Sequence, residues 1–295
     1  MSLPLWTLYA LGAAFLAALI PLVQERGRAD PLALAFGIKI TVACVLLPLA
    51  LWKGLPHEPR FYLGLGLTGA LWCVSDVYYF STVRQVGAGP VSRLLPGMMV
   101  PGFILWLIVN PHLVDVYMET PWRSTGIAAC VAASAFCAAH LTRCQVTRQT
   151  FKLLWPTCLG AIVGPTAAKL ILDSAPAAQA PYTYSFVEAL LMLAMWSLYG
   201  LIRPRTGRII LAGLRHAPVR RAAFLIGCLS AGSLVLKMQG FATVEHPSYI
   251  TVLMYTDVLW IIGIYRLLGR RETARIAPGL GLAACAAALV LLKSL

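Results

Sequence analysis

The sequence has few charged residues. Only 12% of its 295 residues are charged, whereas 59% are hydrophobic and the mean hydropathy is +0.78. Soluble domains carry about 25% charged residues, because they must cover their surface with polar groups. The composition therefore excludes an ordinary soluble domain and indicates an integral membrane protein.

Short motifs of common catalytic and metal sites are also missing. The sequence contains no G-x-S-x-G, H-E-x-x-H or Walker motif. Its eight cysteines form no C-x-x-C pair. Cys130, Cys137 and Cys144 recur every seven residues on one helix face, about 10 Å apart by helix rise, which is too far to share a metal. We expect no metal, no cofactor and no enzymatic activity, and an integral-membrane enzyme is the weaker alternative.

Acidic residues are scarce beside basic ones. The chain has 11 Asp and Glu residues and 24 Lys and Arg residues, so its formal net charge is +13. Most of the basic residues lie in gaps between apolar runs, which places them at a membrane surface and argues against nucleic acid binding.

The chain contains ten apolar segments, each near the ~20 residues that cross a bilayer. The connection Arg203 to Arg221 carries six arginines among apolar residues and predicts an amphipathic helix on the membrane surface. The predicted spans are 3–23, 31–53, 61–80, 89–109, 123–141, 151–172, 183–202, 222–239, 247–268 and 276–293.

The two halves of the chain resemble each other in hydropathy. Thr82 to Val109 and Phe241 to Leu268 are separated by 159 positions, and each is a short polar break between two long apolar runs. Pro31 and Pro181 also correspond in order. We predict an all-α membrane fold of two five-helix repeats, 1–146 and 147–295. Because five is odd, the two repeats enter the membrane in opposite directions and are inverted.

The basic residues predict an orientation. Of the 20 Lys and Arg outside the apolar segments, 16 fall in or beside the loops after segments 1, 3, 5, 7 and 9. The positive-inside rule places these loops in the cytoplasm and both termini outside.

The pattern resembles the drug/metabolite transporter superfamily, EamA type. The resemblance is carried by the five-plus-five helices, by Pro31 with Lys39 inside helix 2, and by the helix 3–4 and 8–9 hairpins. The stretch Leu267 to Glu272 before Gly279 is similar to that family's last hairpin. The resemblance implies a secondary transporter of the bacterial inner membrane that works by alternating access.

Charges at membrane depth are costly unless paired or facing water, so they mark candidate sites. The repeat alignment brings Lys39 and Glu188 to equivalent places, either as a structural salt bridge or as a binding or gating pair. A charged residue near the end of an apolar segment, such as Arg93, could instead extend its side chain to the membrane–water interface. The seven are Lys39, Asp76, Arg93, Lys169, Glu188, Lys237 and Asp257.

Two of the carboxylates have aromatic neighbours at helical spacing. Trp72 and Tyr79 share a stripe with Asp76, and Tyr249 and Trp260 share a second stripe with Asp257. Such a carboxylate can hold an ammonium group or carry a proton. The alternative for both carboxylates is that their aromatic neighbours form a stripe packed in the protein core.

These features predict a secondary transporter for a small polar metabolite, either a zwitterion or an organic anion. A lipid or lipid-linked sugar flippase or scramblase is the alternative. We expect the protein to act as a monomer or homodimer, with a proton or an exchanged substrate as the coupling partner. The sites expected to bind substrate or to couple are Lys39, Trp72, Asp76, Tyr79, Arg93, Glu188, Lys237, Tyr255, Asp257 and Trp260.

Overall fold

The protein is all-helical in a computed structural model, without a strand in any described range. The structure describes residues 4–24, 30–86, 91, 94–140, 148–267, 269 and 276–294. Arg93, one of the predicted site residues, lies outside these ranges.

Six α-helices are described in the first half. Asp30 caps α2, its carboxylate accepting hydrogen bonds from the backbone N–H groups of Leu32 and Ala33 at 3.1 Å, and Pro31 occupies the first turn. A 3₁₀ turn, Leu95–Met98, leads into α4. The helices are α1 (Leu5–Gln24), α2 (Pro31–Lys53), α3 (Pro59–Val86), α4 (Met99–Val109), α5 (His112–Glu119) and α6 (Pro121–His140).

Seven α-helices lie in the described ranges of the second half. The predicted amphipathic helix is present as α9, with Ile210 buried and Leu211 exposed. The helices are α7 (Arg148–Asp173), α8 (Ala180–Ile202), α9 (Pro204–Arg215), α10 (Ala217–Thr243), α11 (Ser248–Met254), α12 (Asp257–Leu267) and α13 (Ile276–Ser294).

Several of these helices are apolar enough to cross a membrane. Within the described residues, six spans have the required length and hydropathy: α1, α2, α7, α8, α10, and α11 with α12. A seventh is added if Leu95–Val109 and His112–Glu119, which are bent by 105°, form one span. The predicted count of ten spans is thus not confirmed by length and hydropathy, although the membrane character is.

Packing joins helices of the two halves. The main pairs are α1 with α10, α3 with α7, α2 with α8, and α6 with α13. Hydroxyl groups tie two of these pairs: Ser233 donates to the Ala13 carbonyl at 2.9 Å, and Thr157 donates to the Ser75 carbonyl at 3.0 Å. The two halves therefore form one bundle with a shared interior.

The ninth predicted segment is a broken helix. α11 ends at Met254 and α12 begins at Asp257, and between them the Thr256 hydroxyl donates to the Leu253 carbonyl at 2.6 Å. The Tyr255 hydroxyl donates to the Leu95 carbonyl at 3.1 Å. This bond connects the break in the second half to the 3₁₀ turn of the first half.

Candidate functional site

A cavity of about 410 Å³ lies inside the bundle, lined by residues of α1, α2, α3, α7, α10 and α11 together with Leu95 and Asp257. Its volume suits a small metabolite. Seven of the ten predicted site residues line it: Lys39, Trp72, Asp76, Tyr79, Lys237, Tyr255 and Asp257.

Lys39 forms a salt bridge in this cavity, but not with the expected partner. Its Nζ lies 3.3 Å from Oδ2 of Asp76, and 12% and 26% of the two side chains are exposed. No ion pair joins Lys39 to Glu188 in the part of the chain that the structure describes. The predicted bridge across the repeats is therefore replaced by one between the neighbouring helices α2 and α3.

Glu188 lies behind the cavity wall. It is buried on α8 beside Tyr184, within electrostatic reach of Lys39, Asp76 and Lys237. It does not line the cavity, and its Oε1 accepts no hydrogen bond from a described residue. Glu188 therefore lies near the charged residues of the cavity without contributing to its wall.

Two residues of opposite charge in the cavity wall, Lys237 and Asp257, form no salt bridge among the described residues, although Lys237 lies within electrostatic reach of Glu188. The Lys237 ammonium lies 5.5 Å from the Phe241 ring centroid, and Oδ1 of Asp257 is buried without a hydrogen bond. Unpaired charges at membrane depth are costly, so a ligand that supplies both opposite charges would stabilise them.

Trp72 forms part of the cavity wall because two glycines make room for it. A Cβ built at Gly164 would lie 2.5 Å from Cζ2 of Trp72, and one at Gly160 would lie 3.1 Å from Cζ3. The sequence G-x-x-x-G on α7 thus receives an indole ring from α3. Small residues at this spacing permit two helices to approach closely.

The sequence reasoning missed the small hydroxyl residues of the cavity. On α10, Ser230 and Ser233 precede Lys237 at i, i+3 and i+7, which places all three on one helix face. That spacing in the sequence indicates a polar face on α10 and could have predicted these residues. The hydroxyl of Ser75 is buried and makes no hydrogen bond to a described residue, so it adds another unpaired polar group to the wall. The hydroxyl residues lining the cavity are Ser75, Thr157, Ser230, Ser233 and Thr251.

Other predicted residues lie elsewhere. Trp260 does not line this cavity and instead packs edge-on against Phe15 of α1, with ring centroids 5.2 Å apart. The Nζ of Lys169 forms a salt bridge with Oδ1 of Asp173 at 2.7 Å, one helical turn further along α7. Among the described residues, no three His, Cys, Asp or Glu side chains are grouped to hold a metal ion.

No family model matches the chain, and no curated protein matches it.

Proposed function

We propose that the protein is a secondary transporter that moves a small zwitterionic metabolite across the membrane. The observation that carries the proposal is the pair Lys237 and Asp257, two residues of opposite charge that form no salt bridge among the described residues and line the wall of one 410 Å³ cavity. A substrate carboxylate would pair with Lys237, and its ammonium group would pair with Asp257. An amino acid has both groups and a volume that suits the cavity.

The aromatic residues of the wall support an ammonium site. Trp72, Tyr79 and Tyr255 line the same cavity as Asp257. Aromatic faces attract cations, most strongly where water is excluded. An organic anion, the other substrate class considered, would leave Asp257 without a partner and add repulsion to it.

We further propose the full fold of ten spans as two inverted five-helix repeats. Exchanging the halves turns the α1–α10 contact into the α7–α3 contact, and α2–α10 into α8–α3. The α2–α8 and α6–α13 pairs map onto themselves. A twofold axis in the membrane plane accounts for this packing, and it is the plan of many transporters.

Alternating access would use the α11–α12 break of the second half and the 3₁₀ turn, Leu95–Met98, of the first half. The Tyr255 hydroxyl joins the α11–α12 break to the turn at Leu95, and both residues line the cavity. Opening this contact would let one half move against the other while the cavity stays in place. The resemblance to drug/metabolite transporters of the EamA type, and a place in the bacterial inner membrane, agree with this mechanism.

A thermal-shift screen of the purified protein tests the substrate class. Alanine and other neutral amino acids should raise the melting temperature. Matched compounds lacking one charge, such as ethylamine and propionate, should raise it less. Lys237→Met should remove the advantage of the zwitterion over the amine.

Lys169→Met is the matched control, because Lys169 does not line the cavity and already bonds Asp173. It should respond to ligands as the wild type does. Stabilisation by phospholipid headgroups, but by no amino acid, would overturn the proposal and favour a lipid flippase or scramblase.

A further inference from the structure

A second cavity, of about 720 Å³, opens between α1, α12 and α13. It is lined almost entirely by apolar side chains and by small residues of α13. A Cβ at Gly263 would meet open space there. The apolar members are Leu11, Leu253, Leu259, Trp260, Gly263, Ala283, Ala286, Ala287, Val290 and Leu291, and the two polar members are Thr7 and Thr256.

One polar group of this groove has no partner in the part of the chain that the structure describes. Thr7 is 3% exposed, it lines the groove, and its hydroxyl makes no hydrogen bond to a described residue. The hydroxyl of Thr256, by contrast, is already bonded to the Leu253 carbonyl. A buried hydroxyl without a partner is costly. The groove therefore fits a ligand with a long apolar body and a single hydrogen-bond acceptor near Thr7.

The depth of the groove matches one leaflet of a bilayer. Ring contacts of Trp6 with Tyr249 (6.3 Å) and of Phe15 with Trp260 (5.2 Å) show that α11 and α12 run alongside α1 in the same direction. Leu253 to Gly263 is ten residues, or about 15 Å by helix rise. That is half of the ~30 Å hydrocarbon core and the reach of one acyl chain.

Thr7 lies where a lipid ester would be. It is the third residue of α1, a helix of 20 residues that is as long as the hydrocarbon core is thick. Its neighbours Leu5 and Leu8 are 57% and 53% exposed, as expected for side chains that face lipid. If α1 spans the hydrocarbon core, Thr7 lies about 3 Å inside one edge of that core, next to the boundary between headgroups and acyl chains.

We propose that this groove is a binding site for a membrane phospholipid, with one acyl chain between α1, α12 and α13 and an ester carbonyl accepting a hydrogen bond from Thr7. This site does not depend on the proposed transport activity. The α11–α12 break forms a wall between the two sites, since Thr256 faces the lipid groove and the next residue, Asp257, faces the polar cavity.

Native mass spectrometry of the full chain in detergent tests the site. The probes are dioleoyl phosphatidylcholine and its diether analogue, which lacks the ester carbonyls. The wild type should bind its first ester lipid more tightly than the ether lipid, on the order of fivefold for one hydrogen bond. Thr7→Val should lose this preference, and Thr7→Ser should keep it.

Filling the groove gives a second measurement. Ala287→Leu should weaken binding of the first lipid of either kind. Ala284→Leu is the matched control, because both alanines are exposed on α13 and only Ala287 lines the groove. Equal lipid binding by the two alanine variants, or an ester preference that persists in Thr7→Val, would overturn the proposal.

Discussion

Lys39 and Asp76 form the salt bridge of the polar cavity, with Nζ and Oδ2 3.3 Å apart. They lie on consecutive helices, α2 and α3, and both line the cavity. The pair leaves Lys237 and Asp257 as the groups whose charges are open to a substrate. Because Lys39 and Asp76 pair with each other, the proposed substrate binds Lys237 and Asp257 instead.

A double-mutant cycle should detect this pair. Lys39→Met alone strands the Asp76 carboxylate and should cost about 2 kcal/mol of unfolding free energy. Adding Asp76→Asn should recover part of the loss, with a coupling energy of about 1 kcal/mol or more. Melting of the four proteins in one detergent measures it.

The pair Lys169 and Asp173 serves as the control for that cycle. It is also an ion pair, but 49% of the Asp173 side chain is exposed and the two residues are one helical turn apart. Their coupling should be about 0.5 kcal/mol or less. Additive effects at Lys39 and Asp76 would show that the bridge does not contribute.

Gly164→Ala should displace Trp72. The new methyl group would lie 2.5 Å from the indole, and overpacking of this kind costs about 1–3 kcal/mol. The shifted ring would also narrow the cavity and weaken substrate binding. Gly66→Ala on α3 is the comparison, because its Cβ would meet open space and the helix propensity improves. A Gly164→Ala protein as stable as Gly66→Ala would contradict this packing.

His246 should make stability depend on pH. Its ring lies between α10 and α11, fully buried and stacked on Phe103 with centroids 4.4 Å apart. Burial lowers the pKa of His246 to about 3, an effect partly opposed by the Phe103 backbone. The unfolded chain takes up this proton near pH 6.5. Stability is therefore complete above pH 6.5 and is lost progressively as the pH falls towards 3.

Melting temperatures of the wild type and of His246→Phe between pH 7.5 and 4.5 measure this contribution. Phenylalanine keeps the aromatic stack without the titrating group. The wild type should lose more stability than the variant on acidification, because other groups titrate in both proteins alike. Parallel curves would rule out a role for His246.

Proton coupling is expected to involve Asp257. The carboxylates of Asp76 and Asp257 were both candidates, but Asp76 already has Lys39 as its counter-ion. If Asp257 holds a proton when the substrate is absent, Asp257→Asn should lose accumulation driven by a pH gradient in liposomes. Glu188→Gln should keep it, because Glu188 does not line the cavity. Unchanged accumulation in Asp257→Asn would exclude this residue as the proton carrier.

The all-helical membrane character could be predicted from apolar segment lengths, whereas the predicted number of ten spans is not confirmed. The amphipathic α9 was located within the predicted stretch because arginines alternate with apolar residues there. The pairing of charged side chains was harder to predict from the sequence. Repeat symmetry pointed from Lys39 to Glu188, whereas the ammonium reaches Asp76 on the adjacent α3, a contact that no spacing along the sequence indicates.

The position of Trp260 could not be predicted from its spacing to Asp257. Both residues lie in α12, three positions apart, which favours one shared face. The polar cavity and the apolar groove lie on adjacent sides of α12, so that Asp257 lines the cavity while Trp260 lines the groove with Leu259 and Gly263. Apolar residues on both sides of the α11–α12 break hide that break in a hydropathy pattern.

Counterflow in reconstituted liposomes tests the transport proposal most directly. Vesicles loaded with the unlabelled amino acid that stabilises the protein best would be diluted into the labelled compound. The wild type and Lys169→Met should take up label faster than protein-free vesicles, whereas Lys237→Met and Asp257→Asn should fall to background. Wild-type exchange rates in both cavity variants, or no exchange by the wild type, would contradict the account.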